Sequence, residues 1–412
     1  MRPLILLVIL LAIMVPPVNQ VVRADSYILV GGQTGTWFRQ GQNPQLYKIF
    51  LSNYSAIQLN PVPGEGTVWT GGWNGSQWLI SGWGTYPGPD GSNPYIYLYD
   101  GNTQVVAGSL NQYKTESSWH GGDIFAASYN GGYWLLSGMG SDTLPSFHTG
   151  PPVNHMSLAT FDGHNFTDLS GRVPRQQVGI LYASTWNGTH WLVGGGYADS
   201  GILFSFDGSS IVDLTDRISK AVESFASIQS IAWNGKYWLI GGIGFLARYN
   251  GYSFVDLTPL LRSALRVHLA NAASFADSLS SNGWSRHRSQ LTVNAIAWDG
   301  SSWMLGGGSP VAQTTPNVAW VTSYGANGFI DLSPSFPSFV SHPEQTGSSI
   351  LSICNTGNAW ILGGFSDNHG ILLSYEKGSV VDVSYLVSKM SYVIWVGSET
   401  NQLSDTDRDH SG

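Results

Sequence analysis

The chain has 412 residues, of which only 11% are charged, with a formal net charge of −8 and 18 Lys and Arg scattered along its length. That charged share falls far below the quarter typical of soluble domains. Without a basic stripe to neutralise phosphates, a nucleic-acid partner is excluded. The 51 glycines and one cysteine describe a turn-rich chain with no intrachain disulfide.

Residues 1–24 read as a secretory leader. Arg2 supplies the positive end, Leu4 to Val15 is an unbroken apolar run, and Val22-Arg23-Ala24 is a cleavage site. The run is too short to cross a bilayer comfortably, so an uncleaved anchor is the lesser alternative. The mature protein is expected to be secreted or held on the extracellular surface, with no membrane span. Low charge with abundant Ser, Thr and Asn suits an acidic exterior, where carboxylates would be largely protonated.

A phrase built on an aromatic, an Asn-Gly-type turn and a glycine pair then recurs six times. Its clearest copy runs from Trp233-Asn234-Gly235 through Trp238 to Gly241-Gly242. The others centre on Trp73-Asn74-Gly75, Tyr129-Asn130-Gly131, Trp186-Asn187-Gly188, Trp298-Asp299-Gly300 and the degraded Cys354-Asn355-Thr356-Gly357, where Cys354 takes the place of Trp233. Intervals of roughly 47 to 65 residues belong to bladed architectures.

One copy reads as four strands: Ser227 to Trp233, Tyr237 to Gly241, Phe245 to Tyr249 and Ser253 to Leu257. Asn234-Gly235 and Asn250-Gly251 form the hairpins, on the expectation that both central positions take positive φ. Four such antiparallel strands make one propeller blade. The mature N-terminus opens at a second strand, Tyr27 to Gly32, whereas Ser391 to Gly397 matches a first strand and then stops. The fold class is therefore all-β: a seven-bladed β-propeller of four-stranded antiparallel blades over 25–397. It closes by pairing the C-terminal strand with the N-terminal blade, which removes the free edges. Residues 398–412 are expected to form a polar, disordered tail.

The glycine pairs Gly31-Gly32, Gly194-Gly195, Gly241-Gly242, Gly306-Gly307 and Gly363-Gly364, with later aromatics such as Tyr99, Tyr249, Tyr324 and Tyr375, resemble the kelch class of propeller. The tryptophan usual in that class's fourth strand is absent; Phe166, Ile211, Phe254, Phe329 or Val380 stands near its place.

All tight turns share one face, so the variable loops emerge on the other, where binding is usually built. There lie Thr34 to Gln45, Trp83 to Pro94, Gly108 to Gly121, Gly140 to His155, Ser309 to Asn317, Ser335 to Gly347 and an insertion over 259–291. The insertion begins as a helix at Thr258-Pro259, with Thr258 as its cap and Leu261, Leu265, His268, Leu269 and Ala272 on one side. Trp37, Trp83, Trp119 and Trp284 are the candidate ligand anchors, joined by Arg286 and Arg288, whose forks suit an anionic sugar or carboxylate.

No catalytic constellation, metal-ligand spacing or cofactor motif is present in the sequence. His120, His148, His155, His342 and His369 are scattered over the open-face loops. Asp168, Asp213, Asp256, Asp331 and Asp382 recur at one repeat position, as turn caps would. Sequons stand at Asn53, Asn74, Asn165 and Asn187. The expected function is non-enzymatic binding of an extracellular protein or glycan at the cell surface. The alternatives are a polysaccharide hydrolase or lyase, with loop carboxylates such as Asp142, Asp199, Glu344 and Asp367 in the axial funnel, and a structural envelope or filament subunit.

Overall fold

The computed structural model describes residues 26–35, 42–59, 65–85, 92–102, 104–109, 122–141, 154–175, 178–197, 200–269, 291–308, 319–337, 340 and 347–399. They form seven four-stranded antiparallel sheets arranged as a ring. The first blade is composite. Tyr392–Ser398 is its innermost strand and pairs with Tyr27–Gln33, from Ile28 against Ser398 to Gln33 against Tyr392. Closure thus joins the two ends of the propeller, as the truncated terminal repeats predict.

The innermost strands of blades 2 to 7 are Gly66–Trp73, Asp123–Tyr129, Ile180–Trp186, Ile228–Trp233, Val293–Trp298 and Ser348–Asn355. Each passes through a short turn into a second strand opening on Trp78, Trp134, Trp191, Trp238, Trp303 or Trp360, all of them buried. Each of these tryptophans faces the last residue of the innermost strand. Trp233 and Trp238 have ring centroids 4.2 Å apart, and Trp186 and Trp191 are 4.3 Å apart. Buried aromatics of this size remove about 150–250 Å² each from water, so the wedge between sheets is filled by the repeated phrase itself.

In blade 7 the register differs from the sequence expectation. Asn355, not Cys354, lies opposite Trp360, and Thr356 to Ala359 forms the turn. Cys354 therefore corresponds to Ala232, one residue earlier, and faces the core beside Ile361 and Leu372. A one-residue shift moves a strand side chain to the opposite sheet face. Burial pushes its thiol well above the ordinary range.

The turns also work differently from a two-residue Asn-Gly hairpin. Asn234 precedes the turn, its N–H donating to the Tyr237 carbonyl, and only Gly235 takes positive φ, at 86°. The Asn234 Oδ1 accepts the N–H groups of Lys236 and Tyr237. Asn74, Asn130, Asp162, Asn187, Asp207, Asn250 and Asp299 repeat this device. The side chain thus serves as the turn's acceptor, and Asn and Asp are interchangeable because only an oxygen is required. At Asp162 these donors hold the carboxyl down at about 2.

The recurring Asp that ends the fourth strand caps as expected. Its Oδ1 accepts the N–H two residues on, at 2.8–2.9 Å, in Asp168, Asp213, Asp256, Asp331 and Asp382. That second residue is Ser170, Thr215, Thr258, Ser333 or Ser384. Its hydroxyl accepts a backbone N–H of the third strand, so the ladder continues past its last backbone pair. This corrects the reading of Thr258 as helix cap. The helix Thr258–Ala264 begins with Thr258 already inside it, because Asp256 supplies the acceptor and the Thr258 hydroxyl is turned to Leu246. Leu261 within it and Leu265 and His268 beyond it are buried, and the His268 Nε2–H donates to the Ala319 carbonyl at 2.9 Å.

Candidate functional site

In a four-stranded meander the first-to-second and third-to-fourth turns share one face, and the variable connections emerge on the other. The innermost strands line the axis between the two faces. Every one carries a β-bulge at the same place, so that one residue has no partner across the ladder. The seven are Trp69, Phe125, Tyr182, Gln229, Asn294, Leu351 and Ile394. Each lies in the half of its strand nearer the variable-loop face.

The second glycine of each pair makes the bulge possible. A Cβ at Gly82, Gly138, Gly195, Gly307 or Gly364 would strike the backbone carbonyl of Thr67, Asp123, Ile180, Thr292 or Ser349, two residues before the bulged one. The first glycine has a separate reason. At Gly194 an added Cβ would meet Ile228 and Ile231 of the next blade; at Gly241 it would meet Val293 and Ile296. One position therefore admits the neighbouring blade and the other admits the bulge.

All seven bulged residues keep partial solvent exposure, although the residues before them, such as Val68, Ile124, Leu181, Ile228 and Val293, are fully buried. They form a ring around the axis with two chemically distinct arcs. Trp69 and Phe125 have centroids 4.9 Å apart, and Phe125 and Tyr182 are 5.3 Å apart in an edge-to-face contact. These three give a continuous aromatic arc across blades 2 to 4. Gln229 and Asn294 follow as an amide arc, and Leu351 and Ile394 complete the circle.

The Gln229 Nε2 donates to Ser227 Oγ at 3.0 Å. Asn294 Nδ2 lies 2.8 Å from the Gly308 carbonyl, 2.9 Å from Ser349 Oγ and 3.2 Å from the Ile350 carbonyl. That fixes the amide. Its Oδ1 is buried and has no donor among the described residues, which costs about 1–3 kcal/mol unless something else donates to it.

Asp123 sits at the same end of the axis, two residues before Phe125. Burial pushes its carboxyl up to about 7. Burial, and then the Asp123 charge, push the Tyr182 phenol up to about 12. At neutral pH the Tyr182 phenol is therefore uncharged, and Asp123 is less ionised than an ordinary carboxylate. Among the described residues no three His, Cys, Asp or Glu side chains gather to hold a metal, and no helix is long and apolar enough to cross a membrane.

Of the sequence candidates, Trp37, Trp119, Trp284, Arg286 and Arg288 lie outside the described residues, as do Asp142, Asp199 and Glu344. Trp83 is described, but in a strand rather than a loop. Trp78–Thr85 continues past it, and Trp83 pairs with Thr67 and Pro94 while half-buried. His155 likewise falls within the strand Asn154–Phe161. Blades 2 and 3 have long second and third strands, which shorten the loops expected there. His369 opens the strand His369–Glu376, and Asp367 occupies the turn before it with φ 49°.

The bulged ring was missed in the sequence, yet its signal is there. In blades 2 to 7 each member stands four positions before the last residue of its innermost strand: Trp69 before Trp73, Tyr182 before Trp186, Asn294 before Trp298. The position escapes notice because its residue type varies while its geometry does not.

No family model matches the sequence, and no curated protein is significantly similar to it. Solved structures with a similar fold include an acylaminoacyl peptidase from Pyrococcus horikoshii, 8% identical with a TM-score of 0.49, over 87% of this chain and 52% of that one. YCF48 bound to D1 peptide is 10% identical with a TM-score of 0.46, over 87% and 92%. Sqt1 from Chaetomium thermophilum is 10% identical with a TM-score of 0.45, over 89% and 86%. Similarities this weak carry nothing further to this chain, whose seven-bladed β-propeller is established by its own seven four-stranded sheets.

Proposed function

We propose that this chain is an exported, non-catalytic propeller that binds a neutral glycan at the axial mouth of its variable-loop face. The observation that carries the reading is the partly exposed aromatic arc of Trp69, Phe125 and Tyr182 beside the partly exposed amide residues Gln229 and Asn294. A sugar offers both partners such a ring needs. Its C–H faces stack on aromatic rings, and its hydroxyls donate to fixed amide oxygens. Neither Arg nor Lys stands at a ring position, which disfavours an anionic ligand. Leader cleavage after Ala24, a kelch kinship and a contact role for Trp83 belong to the same proposal. The glycine pairs support the kinship, and Trp83 shares a blade with Trp69.

Glycan-array screening followed by calorimetry tests it. Binding of an uncharged oligosaccharide that weakens in Trp69→Ala and Asn294→Leu is the expected result. Equal affinity in all three proteins, or selective retention of acidic glycans, would sink it. Asp123 favours one second reading, a polysaccharide hydrolase, because a carboxyl held protonated near neutrality is what a general acid requires. Such an enzyme also needs a second carboxylate. Release of reducing ends from a polysaccharide, lost in Asp123→Asn, would establish it in place of simple binding.

A further inference from the structure

All four sequons fall on one face. Asn74 and Asn187 open first-to-second turns, in blades 2 and 4. Asn53 and Asn165 lie in third-to-fourth connections, in blades 1 and 3. Antiparallel connectivity places all four on the tight-turn side, opposite the axial mouth ringed by the bulged residues.

The local geometry suits an attached glycan. Asn53 and Asn165 are exposed, and Asn74 and Asn187 are partly so. In three sequons the hydroxyl two residues on donates to the Asn Oδ1: Ser55 at 2.7 Å, Ser76 at 3.1 Å and Thr189 at 3.0 Å. The turn's bonds thus use the amide oxygen, and the Nδ2 of Asn53, Asn74 and Asn187 has no bond among the described residues. Asn165 differs, since its Nδ2 donates to Asp162 Oδ2 at 3.0 Å. A Cβ added at Gly75, Gly163 or Gly188 would meet nothing within 4 Å, so these turns stand clear of the body.

We infer that the tight-turn face of blades 1 to 4 carries N-linked glycans at Asn53, Asn74, Asn165 and Asn187, leaving the variable-loop face bare for its ligand. In the transfer, the Asn Nδ2 attacks the anomeric carbon of a lipid-phosphate-linked oligosaccharide. The C–N bond forms, the C–O bond to the phosphate breaks, the Nδ2 loses a proton and the lipid phosphate leaves. The inference rests on export, because the acceptor must meet a lipid-linked donor across the membrane. Blade 5 supplies an internal control. Asn234 builds the same turn but has Lys236 two residues on, so the hydroxyl is missing.

The test is intact-mass and peptide mapping of the protein from its native source, with culture fluid and cells analysed separately. Glycopeptides at the four positions, with less occupancy at Asn165, are expected. Ser76→Ala and Thr189→Ala should each delete one glycan, and Lys236→Thr should add a fifth at Asn234. Secreted protein with all four asparagines bare would overturn the inference while leaving export and ligand binding intact. Recovery of the chain only from inside the cell would overturn export together with the modification.

Discussion

Ile228, in the innermost strand of blade 5, stands 2.7 Å from the point where a Cβ on Gly194 of blade 4 would lie. The next residue, Gly195, is opposed by the backbone carbonyl of Ile180 in its own blade. Adjacent glycines therefore have different tolerances. In Gly194→Ala the flexible Ile228 and Ile231 side chains can shift, for an overpacking cost of about 1–3 kcal/mol. In Gly195→Ala nothing can move except the bulge. Urea unfolding should show the first variant folded with a lowered midpoint and the second with a much larger loss. Equal midpoints would mean that the bulge does not depend on its glycine.

The aromatic arc should matter more to ligand than to fold. Trp69 is partly exposed and bulged, whereas Trp78 in the same blade is fully buried. Trp69→Ala is expected to weaken glycan binding about tenfold, a lost aromatic contact of about 1.5 kcal/mol, with little change in melting temperature. Trp78→Ala should do the reverse, costing about 3–5 kcal/mol of stability. Calorimetry and thermal melts on the two proteins separate the roles.

Asp123 gives the mouth a pH dependence of known sign. Its folded-state value of about 7 lies above the ordinary 3.8, so the folded protein holds this proton more tightly than the unfolded chain. That stabilisation is full below the ordinary carboxylate value and is lost as pH rises through about 7. Melting curves from pH 4 to pH 8 should show wild type losing stability relative to Asp123→Asn as pH rises. His268, lowered by burial, works in the opposite sense and is common to both proteins, so the difference isolates the carboxyl. A flat difference would mean that Asp123, which is partly exposed, titrates like an ordinary carboxylate.

Cys354 should be silent in the native state. It is fully buried, and its thiol is raised far from the thiolate form that reacts. Maleimide labelling is expected only with denaturant, following the unfolding curve. Rapid labelling of folded protein would show that blade 7 opens locally.

Ring closure is tested at the C-terminus. Truncation after Met390 removes Tyr392–Ser398 and exposes the edge of Tyr27–Gln33. Unpaired edges invite association, so the shortened chain should aggregate or melt at a far lower temperature. A monomer with unchanged melting would mean that the terminal strand is dispensable.

What the amino-acid order determined alone was whatever is local or periodic: the blade count, the positions of the hairpins, the buried tryptophan of six second strands, the recurring Asp cap and the complementary chain ends. These follow from contacts a few residues apart, repeated often enough to be read. Even there one residue of register escaped at Cys354, because in blade 7 Thr356, not Asn355, takes the place of Asn234 in a turn of the same length, so that Cys-Asn stands one position out of phase with Trp-Asn. Only tertiary structure decided which varying residues meet at the axis. Trp69, Phe125, Tyr182, Gln229 and Asn294 come from five blades spread over most of the chain, and their single shared property is a bulge opposite a glycine. A bulge changes pairing without altering composition or period. The residues it turns toward the centre become neighbours only when the ring closes.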